Sequence, residues 1–169
     1  MNKVKTVIKT LITIVCLFIA FELLGLVVNI VVTNFQTSRA LSIVTSNNGS
    51  RGFNKSFVEW DEHSGSLVSQ TVIVFSSSNK TDIEENIARE FADCRYEIIT
   101  FDDAVKENSK NAVTNVYYPD YQKYKSDKSF TKKDSKDTCY VLAVWDKAPF
   151  GHNLIGYLIN YRPAEENES

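Results

Sequence analysis

Charge is nearly absent from residues 10–35, where Glu22 is the one formally charged side chain. That gap excludes an ordinary soluble helix, whose outer face needs charged or polar residues. Cysteine and histidine are scarce, at three and two residues. No His/Cys/Asp spacing matches a zinc site, and Cys94 and Cys139 are too few to define a disulfide framework. The basic excess of a general nucleic-acid binder is also missing. Residues 40–169 hold 15 Lys+Arg against 20 Asp+Glu, whereas such binding needs a dominant basic face. The loop Ser76-Ser77-Ser78-Asn79-Lys80 contains no glycine, so it matches neither a Walker nor a dinucleotide fingerprint. No cofactor and no metal are expected.

What fills the charge gap is apolar. Val7 to Val32 exceeds the roughly 20 residues that cross a hydrocarbon core. A cleaved signal peptide has an apolar region of about 7–15 residues followed by a small-x-small site. Here the run is longer, and the nearest such triplet, Ser38-Arg39-Ala40, contains an arginine. The reading is a retained anchor over residues 10–35, preceded by a basic N-terminus at 1–9. Lys3, Lys5 and Lys9 precede the span and only Arg39 follows closely. The positive-inside rule then places the N-terminus in the cytoplasm and the rest of the chain outside. Cys16, inside the span, acts there as a small hydrophobe.

Glu22 is more than an anchor requires. An acid at mid-membrane costs about 2.5–3.5 kcal/mol on insertion scales. At 100° per residue Phe18, Glu22, Gly25, Asn29 and Thr33 share one narrow helix face. Gly25 would let a second backbone approach, and Glu22 and Asn29 could hydrogen-bond across the contact. The face Phe18, Glu22, Gly25, Asn29 is therefore expected to meet a partner in the bilayer: another membrane protein or a second copy. The plainer alternative is a protonated Glu tolerated in a lone helix.

Beyond the anchor the pattern is α+β. Residues 36–56 read as a connector, with a turn signal at Asn47-Asn48-Gly49-Ser50. Strands are expected at 57–60, 67–75, 96–101, 140–145 and 154–161. The run Val72-Ile73-Val74-Phe75 fits a strand buried on both faces. Thr81-Asp82-Ile83-Glu84 matches a capping box, and Ile83, Ile87, Phe91 and Cys94 form one apolar stripe, predicting a helix over 81–94. Strand, helix and strand over 67–101 resemble a βαβ unit if the two strands are adjacent and parallel. The expected fold is a mixed sheet of about five strands with one main covering helix, over residues 57–161. An acidic tail at 162–169 is expected to be disordered.

Four features carry functional expectations. Tyr117, Tyr118, Tyr121 and Tyr124 interleave with Lys123, Lys125, Lys128, Lys132 and Lys133, a mix suited to an interaction loop or to a plain solvated one. Cys94 and Cys139 form a candidate disulfide if their compartment is oxidising. Closing that loop would stabilise by about 4 kcal/mol in the chain-entropy picture, and two separate buried thiols are the alternative. Ser76–Ser78 precedes a helix start, with Asp102 and Asp103 at the end of the next strand. Together with His63 or His152 they would be the only basis for a hydrolase. Capping serines and solvated acids are the ordinary reading of the same residues. The sequons at Asn48, Asn54, Asn79 and Asn167 are no more than an Asn-, Ser- and Thr-rich chain produces by chance.

The functional expectation is a membrane-anchored binding protein, not an enzyme. It would be a small subunit of a membrane complex, or a surface-protection protein of the immunity or exclusion type. An anchored extracytoplasmic hydrolase is the alternative.

Overall fold

The computed structural model describes residues 2–61, 64–106 and 138–160. It begins with a helix, α1, over Asn2–Ser46. At 1.5 Å per residue its 45 residues rise about 68 Å. Val, Leu and Ile dominate, no proline interrupts, and Gly25 is its single glycine. The helix therefore runs through the first half of the expected connector, 36–46, and Leu41-Ser42-Ile43-Val44 lies in its last two turns. It stops in a Schellman turn. Asn48 takes a left-handed φ of 61°, and Gly49 N donates to Val44 O at 2.8 Å. A Cβ on Gly49 would sit 2.6 Å from that same oxygen, so a side chain cannot follow the turn.

Four strands follow: β1 over Ser50–Asp61, β2 over Ser66–Ser77, β3 over Arg95–Thr100 and β4 over Thr138–Lys147. Their order is β1-β2-β4-β3, and every neighbouring pair is antiparallel. The sheet is thus antiparallel and four-stranded, not mixed and five-stranded. β2 and β3 do run the same way, but β4 lies between them, so the βαβ unit is split. β1 and β2 form a hairpin in which Asp61 pairs with Ser66 and Gly65 takes φ +60°.

Both faces of β2 are buried, as its β-branched run predicts. On one face Ile73, Phe75, Leu142, Val144 and Ile98 pack under Ala40 and Val44 of α1 and under α2 (Lys80–Glu90). On the other face Val72, Val74, Val141, Ala143 and Trp145 pack with Ala104 of α3 (Phe101–Lys106). Each fully buried aliphatic or aromatic side chain here contributes about 1.5–3 kcal/mol. The stripe of Ile83 and Ile87 on α2 and Phe91 at its C-cap is buried as its spacing predicts. The cap differs: Asn79, not Thr81, accepts from Asp82 N, and the helix ends at Glu90. Thr100 caps α3, its Oγ1 accepting from Asp103 N at 3.1 Å.

The expected final strand is a helix, α4, over Leu154–Asn160. A short apolar run does not distinguish strand from helix by periodicity, and local chemistry decides. Asn153 is an N-cap whose Oδ1 accepts from Gly156 N, and whose backbone carbonyl accepts from Tyr157 N at 2.9 Å. Gly156 is needed because a Cβ there would come 2.7 Å from Leu67 Cδ1. Trp60 of β1 stacks edge-on against Tyr157, with centroids 4.7 Å apart. The expected tail and the Tyr/Lys stretch lie outside the described residues.

Candidate functional site: a polar seam between the long helix and the domain

The polar stripe of α1 packs against the chain itself. Glu22 is 7% exposed, and its Oε2 accepts from Leu154 N at 2.6 Å and from Ile155 N at 3.4 Å. Those are the first donors of α4, which its own helix cannot satisfy. The Glu22 carbonyl accepts from Asn153 Nδ2 at 2.6 Å. Asn29 is fully buried and clasps one backbone residue, donating to Phe150 O at 3.1 Å and accepting from Phe150 N at 2.9 Å. Gly25 lies between them. A Cβ there would be 2.9 Å from Asn153 Nδ2 and 3.1 Å from the Phe150 ring.

The seam continues along β2. Thr33 Oγ1 bonds Ser69 Oγ at 2.8 Å, and Thr37 Oγ1 bonds Thr71 Oγ1 at 2.8 Å. Gln36 Nε2 reaches Val144 O at 3.5 Å, while its buried Oε1 has no partner among the described residues. Positions 22, 25, 29, 33, 36 and 37 keep the i, i+3, i+4 rhythm, and Ala40 and Val44 carry it into the apolar core. Apolar surfaces can slide past one another. A paired amide clasp and two hydroxyl pairs cannot do so without leaving buried polar atoms unmet, at about 1–3 kcal/mol each. The seam therefore holds the domain in one register on α1.

Of the expected lateral contact face, Glu22, Gly25 and Asn29 are turned inward against residues 150–155. Phe18 is 52% exposed, one turn before the docked region begins. That face is closed to an outside partner beyond Phe18. The sequence did not single out Phe150, Asn153, Ser69 or Thr71. Asn153, an Asx residue just before an apolar run, carried a readable cap signal; the others carried none.

The opposite face of α1 is bare. Leu23, Leu24, Val27, Ile30, Val31, Val32 and Phe35 are each 38–65% exposed. Before them, from Val4 to Phe21, every residue is exposed. Among the described residues α1 is the one helix long and apolar enough to cross a membrane.

The remaining expected sites do not assemble. Cys94 stands just before Arg95, which pairs with Trp145, while Cys139 lies one residue before Tyr140, the partner of Thr100. They sit at opposite ends of the β3–β4 pair, roughly 23 Å apart at strand rise, whereas a disulfide needs Cα atoms within about 7 Å. No cysteine is in a disulfide. Cys94 borders a cleft of about 320 Å³ together with Gln36, Arg39, Glu90 and Asp146. Burial, and next the Asp146 carboxylate, push its thiol up to about 11. Arg39 is paired with Glu90 across the mouth of that cleft and lies 5.5 Å from the Phe91 ring centre.

Ser76 and Ser77 are buried in β2, and Ser77 Oγ accepts from Asn79 N at 2.9 Å. Asp102 and Asp103 are exposed at the same end of the sheet, with β4 between. His152 is at the other end, beside Gly151, whose carbonyl accepts from Leu67 N at 2.7 Å. Leu67 and Ser76 are nine residues apart on one strand, about 30 Å. Ser76, the aspartates and His152 therefore form no common site. His63 and the loop residues Tyr117, Tyr118, Tyr121, Lys123, Tyr124, Lys125, Lys128, Lys132 and Lys133 lie outside the described residues. No group of three metal-ligating side chains occurs among the described residues. The chain matches no family model, no curated protein and no solved structure.

Proposed function

We propose that this chain is a single-pass membrane protein with a cytoplasmic N-terminus, whose α+β domain stands outside and acts by binding another protein. The role is that of a small subunit of a membrane complex, or of a surface-protection protein of the immunity or exclusion type. Lys3, Lys5 and Lys9 at the N-terminal end of the span support the orientation. The seam supports a retained anchor. Cleavage after Ala40 would strip Glu22, Asn29, Thr33 and Thr37 from the domain they are buried against.

The observation that carries the binding role is where the domain docks on α1. From Glu22 on, one side of the helix is packed against the domain through Glu22, Asn29, Thr33 and Thr37, which leaves the part before Glu22 for the hydrocarbon core. If the bilayer takes the N-terminal part, Val27, Ile30, Val31, Val32 and Phe35 stand outside it with their apolar sides bare. An exposed apolar strip of this kind marks an interface. The partner is a neighbouring membrane protein, and it meets the face opposite Glu22.

Photocrosslinking from Val31 in native membranes, followed by mass spectrometry, tests the reading. A defined partner caught from Val31 and absent from a probe at exposed Thr81 on α2 supports it. Nothing above background from Ile30, Val31 or Phe35 would reduce α1 to a tether. A mature chain lacking residues 1–40 would remove the anchor altogether.

A further inference from the structure

We infer that α4 is a second membrane contact, lying in the outer lipid interface so that the domain is held against the bilayer surface. The inference rests on the anchor reading above and goes beyond it. On α4, Leu154, Leu158 and Ile159 are 49%, 69% and 65% exposed. They are the only exposed large apolar residues outside α1 among the described residues, so the patch is local to this helix. Its other side is anchored: Gly156 is buried against Leu67, and Tyr157 stacks on Trp60.

The occupant follows from height along α1. Glu22 Oε2 holds the Leu154 and Ile155 N–H groups directly, and Phe21 packs edge-on against Phe150 at 5.8 Å. α4 therefore starts level with Phe21 and Glu22. From Lys5 to Phe21 is about 24 Å of rise, with the Lys9 side chain reaching back to the inner headgroups. That is a few ångströms short of one hydrocarbon thickness, within what local bilayer thinning accommodates, so α4 sits where the acyl chains give way to headgroups. A short helix with one apolar side buries that side about 5–10 Å into this boundary. The same placement removes Glu22 from the bilayer centre. Its carboxylate lies at the interface, satisfied by backbone donors, and the insertion penalty of a mid-membrane acid does not arise.

The test uses the full chain with its three native cysteines replaced by alanine, reconstituted in phosphatidylcholine vesicles carrying a nitroxide high on the acyl chain. An environment-sensitive dye is placed in turn at Leu158→Cys, at Val15→Cys within the span, and at exposed Thr81→Cys on α2. The expected result is severalfold stronger quenching at Leu158 and Val15 than at Thr81. Quenching at Val15 but not at Leu158 overturns this inference and leaves the anchor intact; no quenching at Val15 overturns the anchor and this inference together. A crosslink from Leu158 to a second copy, in place of lipid quenching, also overturns it. The pair Leu158→Asp and Ile159→Asp, both at exposed positions, should keep the tryptophan emission of the folded domain. It should also abolish quenching of a dye at Leu154→Cys. Retained quenching there would refute the role of these side chains.

Discussion

Replacing Glu22 with leucine separates two opposite expectations. If Glu22 faced lipid from a lone helix, leucine would remove an insertion cost of about 2.5–3.5 kcal/mol and leave the domain untouched. The structure predicts the reverse for the domain. Glu22→Leu deletes the acceptor of Leu154 N at 2.6 Å and of Ile155 N at 3.4 Å, both part-buried. Hydrogen bonds to a charged group contribute about 1.5–3 kcal/mol, and the second bond is long. The expected loss is therefore about 2–4 kcal/mol, concentrated in the docking of α4. Glu22→Gln keeps an acceptor and should lose about 1 kcal/mol. Denaturant unfolding of the full chain in micelles reads this through Trp60, whose ring is stacked on Tyr157 of α4. Hydrogen exchange at residues 154–157 localises the effect. A Glu22→Leu protein as stable as the parent, with unchanged protection at α4, would refute the seam.

Gln36→Met should be neutral or stabilising by up to about 1 kcal/mol, because it removes a buried oxygen with no partner among the described residues and one bond at the 3.5 Å limit; a loss above about 2 kcal/mol in the same unfolding assay would show a satisfied amide. Asn48→Val should cost about 1–2 kcal/mol, since a β-branched residue is forced to φ 61°, and Asn48→Gly should not. Cys94 should resist alkylation at pH 8 and react as pH rises toward 11, since the thiolate forms only near its raised value of about 11. By linkage, the folded-state pKa lies above the ordinary thiol value of 9.0. The stabilising contribution is then complete below pH 9 and is lost as pH rises through 11. A non-reducing peptide map should show no Cys94–Cys139 link; finding one would contradict the register of β3 on β4.

Much of the fold was legible because it is local. The apolar run before residue 35, the buried strand Val72–Phe75 and the stripe Ile83, Ile87, Phe91 follow from hydropathy and period alone. So did the polar face Glu22, Gly25, Asn29, Thr33, since helix geometry puts these side chains in line wherever the helix lies. Residue spacing does not state what meets that face. An acid and an amide in an apolar helix require hydrogen-bond partners, and a second chain or the same chain satisfies them equally well. The strand order β1-β2-β4-β3 sends the 148–160 segment back to α1, placing the Phe150 amide and the first N–H groups of α4 against it. Residues 154–160 became a helix for the same reason, because Asn153 and a glutamate 131 or more positions away supply the caps. The separation of Cys94 from Cys139, and of Ser76 from His152, is likewise a matter of register. Sequence determined that this chain has a polar stripe in need of partners; only tertiary structure decided that its own C-terminal region meets the need and leaves the apolar side of α1 outward.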